Sequence, residues 1–328
     1  YNPAQDANTV ARLRAAGAIV IGKTNLDQLA TGLVGVRSPY GVPKNSFNDD
    51  MVPGGSSSGS AVAVALGLVP LSLGTDTAGS GRVPAGFNNI VGLKPSLGLF
   101  STFGVVPACR TLDCVSVFAL TVDDAWLAAS VMAGLDEKDA YSRNRPLGIP
   151  GAMPAHLKLG VPLRGQREFF GDKDYEAGYD AALERLKGLG AELVEVDIEP
   201  LYETARLLYD GPWVAERTIT AQKLLASDPN AIHPVTREIT LNGLRQTAID
   251  AFSAFYKLED LRRVADRLFG PIDAMVLPTA PTAYTVKQVL DEPILLNSRL
   301  GTYTNFVNLL DLCGLALPAS LTSKGLPF

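Results

Sequence analysis

Apolar and polar positions follow two rhythms along this chain, one of helical period and one of short continuous runs. Residues 6–17 set Val10, Leu13 and Ala16 at three-residue spacing around Arg12 and Arg14, which predicts a helix closed by Gly17. Residues 18–21 are a short apolar run and predict a buried strand. Residues 25–31 predict a further helix, and residues 36–52 are polar, turn-rich and irregular. After a Gly/Ser-rich loop, the small residues of 61–68 predict a helix packed closely on a sheet, and 69–73 a central strand. Strands follow at 90–95 and 115–120, then a helix at 122–133 whose first turn carries Asp123 and Asp124. Strands at 158–162 and 192–196 bracket an amphipathic segment, 174–189. Residues 200–267 keep mostly helical periodicity, and 274–278 form an apolar strand ending at Pro278. This alternation, without repeats or low-complexity tracts, predicts an α/β protein with a mixed β-sheet between helical layers.

Composition narrows the class. The chain has 328 residues, 47% of them apolar and 19% charged, enough to bury a large core and too apolar for disorder. No charged or Pro/Gly-rich linker divides it, so one domain over 1–328 is expected. The net charge of −5 and the lack of any basic block give no electrostatic reason for a nucleic-acid or anionic-membrane partner. Nor is there an uninterrupted apolar stretch of the roughly 20 residues that span a bilayer. Cys109, Cys114 and Cys313 form no C-x-x-C pair and have no histidines at metal spacing. They read as buried thiols of a cytoplasmic protein without a metal site. A first residue that is Tyr1, and a turn-like end at 324–328, suggest a piece of a longer chain.

The chemistry concentrates in two Gly/Ser-rich stretches, Gly-Gly-Ser-Ser-Ser-Gly-Ser at 54–60 and Gly-Thr-Asp-Thr-Ala-Gly-Ser-Gly-Arg at 74–82. A serine hydroxyl attacks a carbonyl only when a base removes its proton, most often a histidine held by a carboxylate. His156 lies in a Pro/Ala turn and His233 between Ile232 and Pro234, and both read as structural. In the second stretch Gly74 and Gly79 remove side-chain obstruction, so successive N–H groups from Thr77 to Ser80 can face a developing alkoxide. The same residues also suit an ordinary turn in which Asp76 bonds nearby N–H groups.

Four blocks together carry a resemblance: Val-Ile-Gly-Lys-Thr-Asn at 20–25, the loop at 54–59, the turn at 74–80, and Val-Gly-Leu-Lys-Pro-Ser at 91–96. Over essentially its whole length the chain resembles the amidase signature family, and the interval from Ser56 to Ser80 matches that between the family's two catalytic serines. The resemblance implies a Ser–Ser–Lys relay with Ser80 as nucleophile, Ser56 as bridging serine, and an oxyanion hole in the backbone of Thr77, Ala78 and Gly79. The base would be a buried, neutral lysine whose pKa burial lowers. That lysine precedes the Gly-Lys-Thr-Asn block in the family, so the N-terminal part carrying it, and a C-terminal end, are expected to be missing from this sequence. No second domain is expected within it. Lys23 and Lys94 match other positions and read as structural. No cofactor, metal or organic, is implied.

Within the family, residues 33–41, 209–217 and 305–313, with Ala78 where glycine is usual, are similar to the allophanate hydrolase branch. That likeness implies a small amide substrate, allophanate, hydrolysed with release of ammonia, and gives Tyr209 and Arg217 substrate-binding roles. A guanidinium offers a bidentate fork to the N-carboxylate and the phenol a directed hydroxyl. Otherwise, Tyr209 packs in a helix and Arg217, about two helical turns on, pairs with a surface acid. Two other activities fit the same motifs, a general amidase and the tRNA amidotransferase subunit that frees ammonia from glutamine. A non-catalytic binding protein retaining the fold is the alternative of another class. A homodimer is the default assembly.

Overall fold

A computed structural model describes residues 3–151, 154 and 156–328. Helix α1 (Asn8–Ala15) forms where the periodicity places it. The apolar run after it does not form a strand: Ile19, Val20 and Ile21 are 86%, 58% and 73% exposed. An apolar run becomes a strand only when a neighbouring strand takes its N–H and C=O groups, and no described strand lies beside this one. Residues 25–31 likewise are not an α-helix but contain one tight turn, Gln28–Ala30, in which Leu29 and Ala30 take φ of 55° and 51°.

The chain then runs through α2 (Ser58–Ala65), β1 (Leu71–Asp76), α3 (Val83–Phe87), β2 (Val91–Lys94), β3 (Cys114–Ala119) and α4 (Val122–Met132). Beyond these come β4 (Lys158–Pro162), α5 (Lys173–Gly188), β5 (Glu192–Val196), α6 (Glu199–Arg206), α7 (Trp213–Ser227), α8 (Pro234–Asn242) and α9 (Ala248–Phe269). Two-residue β6 (Ala274–Met275), α10 (Val286–Asp291), α11 (Leu295–Leu300), α12 (Asn305–Leu309) and β7 (Gly314–Ala316) complete it. Local chemistry sets several of these starts. Asp172 accepts from the N–H groups of Asp174 and Tyr175 to open α5, and Thr247 with Asp250 forms a reciprocal cap on α9.

The α/β class stands, with parallel and antiparallel strands divided between two sheets. One sheet has the order β1-β3-β2-β7 with antiparallel pairs, and the other is parallel in the order β5-β4-β6. β1 therefore lies at a sheet edge and not at the centre. β3 is buried along its length because helices cover both its faces. Val115, Val117 and Ala119 pack on Ala125, Ala128, Ala129 and Met132 of α4, whereas Phe118 packs on Ala61 and Val64 of α2 and Ala85 of α3.

The small residues of α2 let it lie tightly along β1. Ser60 Oγ donates to the Leu73 carbonyl at 2.8 Å, Ser72 Oγ to the Ser60 carbonyl at 2.8 Å, and Ser57 Oγ to the Thr75 carbonyl at 3.2 Å. A Cβ at Gly74 would lie 2.4 Å from Ser57 Oγ, so glycine is required for this approach. These staples bring the start of α2 against the end of β1, where the two Gly/Ser-rich stretches meet. Cys109 and Cys114 are buried free thiols, pushed up to about 12 and about 11 mainly by burial. Cys313, expected to be buried, is exposed. No described helix is long and apolar enough to cross a membrane.

Candidate active site

Three of the four serines in the first loop serve the fold. Ser57 and Ser60 staple β1, and Ser58 Oγ donates to the Asn25 carbonyl at 3.4 Å. Ser56 differs. Its hydroxyl is buried with no hydrogen-bond partner, although its carbonyl is fixed by the N–H groups of Asp27 and Ser58, each at 2.9 Å. The Gly55–Ser56 peptide is cis.

The second stretch turns around Asp76. Its carboxylate accepts the N–H groups of Gly79 at 2.7 Å and Gly81 at 3.1 Å, and both Nε and Nη2 of Arg82 at 2.9 and 3.0 Å. Arg82 Nη2 also donates to the Thr304 carbonyl and Asn308 Oδ1, while Asn308 Nδ2 donates to the carbonyls of Asp76 and Leu112. Burial pushes the Asp76 carboxyl up, but Arg82 beside it, Lys94 and the Gly79 N–H together outweigh burial and hold it below the usual carboxylate value. The Asp76-centred turn forms, and it changes one expectation about the N–H groups. Gly79, expected among the oxyanion donors, gives its N–H to Asp76, because a carboxylate three residues back reaches it directly. Among the described residues, the N–H groups of Thr77, Ala78 and Ser80 have no acceptor. Thr77 is steadied through its hydroxyl, which donates to Asp113 at 2.5 Å. Burial raises the Asp113 pKa in spite of that bond and of Arg217 nearby.

Ser80 faces a short arch, residues 29–32, and among the described residues its hydroxyl makes no hydrogen bond to that of Ser56, which is buried without a partner. Asp27 at the foot of the arch is fully buried and accepts the N–H groups of Gly35 and Arg37 at 2.9 and 2.8 Å. Burial raises the Asp27 pKa against the attraction of Arg37. The arch presents three successive residues to three different groups. Gly32 offers its carbonyl to Ser80 Oγ at 3.5 Å, Thr31 its carbonyl to Arg37 Nη1 at 3.0 Å, and Ala30 its carbonyl to Arg217 Nη1 at 3.3 Å. Gly32 has φ of 151°, a conformation that side chains disfavour.

Arg217 lies in α7 and is 3% exposed. Nη1 donates to the Ala30 carbonyl and to Thr31 Oγ1, and the guanidinium stacks 5.6 Å from the centre of the Tyr209 ring. Tyr209 is not helical. It sits in the turn between α6 and α7, so the pair meets by folding back and not along one helix face. Nor does Arg217 pair with a surface acid: among the described residues it makes no ion pair, and its Nε is buried without a partner. Burial lowers its proton affinity, but the ionisable groups around it, the carboxyls of Asp113 and Glu216 among them, more than offset burial, so it stays charged. Among the described residues its Nη2 makes no hydrogen bond either, so the side-on Nε and Nη2 edge that can grip a carboxylate is open.

Other ionisable candidates are engaged elsewhere. Lys94 Nζ donates to the carbonyls of Pro95 and Leu312 at 2.7 Å each, and Lys23 is exposed. His156 is exposed; His233 opens α8, its N–H bonded to Gln28. Two adjoining cavities of about 270 and 180 Å³ share Thr102, Arg110 and Asp113, and neither is lined by Ser56 or Ser80. Ser80 is buried, 3% exposed. The sequence reading missed Asp27, Arg37, Asp113 and Asn308. Arg37 and Asn308 lie inside segments used for the resemblance, and Asp27 and Asp113 carry no local motif that marks a role.

The amidase family model matches residues 1–328. Urea amidolyase of Lachancea kluyveri is 48% identical over 330 residues, 100% of this chain and 18% of that protein. The chain therefore spans less than a fifth of the length of that relative. The A subunit of glutamyl-tRNA(Gln) amidotransferase from Halorhodospira halophila is 36% identical over 98% of this chain and 72% of its own. Among solved structures, allophanate hydrolase of Kluyveromyces lactis superposes with a TM-score of 0.96 at 49% identity, covering 100% of this chain and 54% of that one. Motif blocks, fold and full-length match agree, and the chain belongs to the amidase family.

Proposed function

We propose that this chain is the amidase unit of an allophanate-hydrolysing enzyme, with Ser80 as nucleophile and Ser56 as proton relay. The observation that carries the reading is the arch at 29–32, which touches both the Ser80 hydroxyl and the buried Arg217 guanidinium. One short piece of backbone thus spaces an attacking oxygen from a cation suited to a carboxylate. Allophanate has a terminal amide and a carboxylate one nitrogen apart, so it offers a carbonyl to the first group and an anion to the second. The likeness to urea amidolyase and allophanate hydrolase supports the same choice.

Ser80 Oγ attacks the terminal amide carbon as its proton passes to Ser56, and the Ser56 proton passes on to a lysine amine. Neither Lys23 nor Lys94 supplies that amine, and we propose that it belongs to a segment of the whole protein outside this sequence. The N–H groups of Thr77 and Ala78 receive the oxyanion. Collapse expels ammonia with the returned proton and leaves an acyl-Ser80 ester. Water then attacks the ester, Ser80 regains its proton, and an N-carboxylated carbamate departs. No step needs a metal or organic cofactor. The buried thiols support a cytoplasmic setting, and we retain a homodimer as the working assembly.

Turnover of allophanate, glutamine and plain carboxamides by the whole protein tests this reading, with Ser80→Ala as the control. Allophanate is expected to be preferred, and Ser80→Ala to lose at least about a thousandfold in kcat while keeping its fold. Preference for glutamine would assign the chain to the amidotransferase activity instead.

A further inference from the structure

Arg37 is almost completely buried, lies outside the proposed chemistry, and holds both ends of the loop that carries the arch. Its backbone N–H donates to Asp27 Oδ1 at 2.8 Å, its Nη1 to the Thr31 carbonyl at 3.0 Å, and its Nη2 to the Pro293 carbonyl at 2.6 Å. The first two bonds close a ring across residues 27–37. The third anchors that ring to the corner between α10 and α11, a separate part of the chain. From α11 itself Asn297 Oδ1 accepts the Leu33 N–H at 2.7 Å, fixing the other side of the arch.

The arch needs holding. Leu29 and Ala30 sit in the left-handed region, at φ of 55° and 51°, where residues with a Cβ are uncommon and persist only when their surroundings determine them. Gly35 and Arg37 fix the segment after the arch onto Asp27, and the Arg37 guanidinium links the Thr31 carbonyl of the arch to the Pro293 carbonyl of a distant element.

Resting on the reading of Ser80 and Arg217 given above, we propose that Arg37 is a positioning residue that fixes the distance between nucleophile and carboxylate-binding cation by clamping residues 29–32. It touches neither the Ser80 hydroxyl nor the Arg217 guanidinium by hydrogen bond. It acts on both through consecutive residues of one loop, so its loss displaces both together. A residue that only supported the core would change how much protein is folded and not what each folded molecule does.

The test compares Arg37→Met and Arg37→Lys with the wild-type whole protein, with activity counted per Ser80 titrated by a fluorophosphonate. Met keeps the aliphatic stem and removes both carbonyl bonds; Lys keeps the charge but reaches one carbonyl at a time. Arg37→Met is expected to lower kcat per titrated site about tenfold or more on allophanate and on a plain carboxamide alike, since Ser80 moves in both reactions. It also lowers the preference for allophanate, since Arg217 moves too. Arg37→Lys falls between. In a cycle with Arg217→Ala, the combined loss on allophanate is expected to be smaller than the product of the single losses by about threefold or more. Values of kcat and preference within about twofold of wild type per titrated site would overturn the proposal. If Arg37→Met does not fold, Arg37→Lys decides the matter by the same criterion. Failure of the wild type to hydrolyse allophanate defeats the substrate assignment instead; the Ser80 half of the proposal is then read on whichever amide the wild type turns over.

Discussion

A charged guanidinium without a carboxylate partner is unfavourable to bury, because the interior replaces little of the hydration it loses. Arg217 tolerates this through two acceptors on the arch and the face of Tyr209, and keeps one edge unbonded. A bound substrate carboxylate would occupy it. Arg217→Ala is therefore expected to lower kcat/KM for allophanate by about ten- to a hundredfold, the effect of losing charge-assisted hydrogen bonds, with less than about threefold change on a plain carboxamide. Parallel kinetics on the two substrates check this. Residues differ in how far they could be read from sequence. Ser56 and Ser80 stand in local motifs, whereas Arg37 acts on Pro293, 256 positions away, and Arg82 on Asn308, 226 positions away. Spacing along the chain carries no signal of such pairs.

The same division holds for whole elements. β4 and β5 begin and end where the apolar runs predict, and α5 nearly so, because a strand–helix–strand unit is encoded by local periodicity and its cap. Residues 18–21 have the same apolar character and no strand, since pairing depends on a neighbour the pattern cannot reveal. The short helices α10, α11 and α12, and β7, lack a long enough pattern to be read. The α2–β1 contact is the element-level feature that joins fold to site. Gly74→Ala puts a methyl into Ser57 Oγ and, by overpacking, is expected to cost about 1–3 kcal/mol in stability. The urea midpoint should fall accordingly. Unchanged stability would mean that α2 slides along β1 without penalty.

For the whole molecule, the buried Asp76–Arg82 pair ties the sheet to α12 and gives stability a particular pH dependence. The Asp76 pKa is depressed in the fold, so its contribution is complete above the unfolded carboxylate value, near 3.8, and fades as pH falls through the lower folded one. Arg82→Met leaves a buried carboxylate uncompensated, at about 3–5 kcal/mol at neutral pH. Without the cation the Asp76 pKa rises above its unfolded value, and that penalty is relieved on acidification as the group protonates. The stability gap between variant and wild type is therefore expected to narrow between neutral pH and about pH 4, as followed by urea unfolding. A gap that widens towards acid would contradict the assignment. The arch at 29–32 has a consequence of its own under the proposed reaction. A nucleophile and an anion receptor bonded to neighbouring residues of one short loop behave as a gauge: a molecule with one extra methylene between its two ends is expected to serve the pair less well. Such a site discriminates by length before affinity enters.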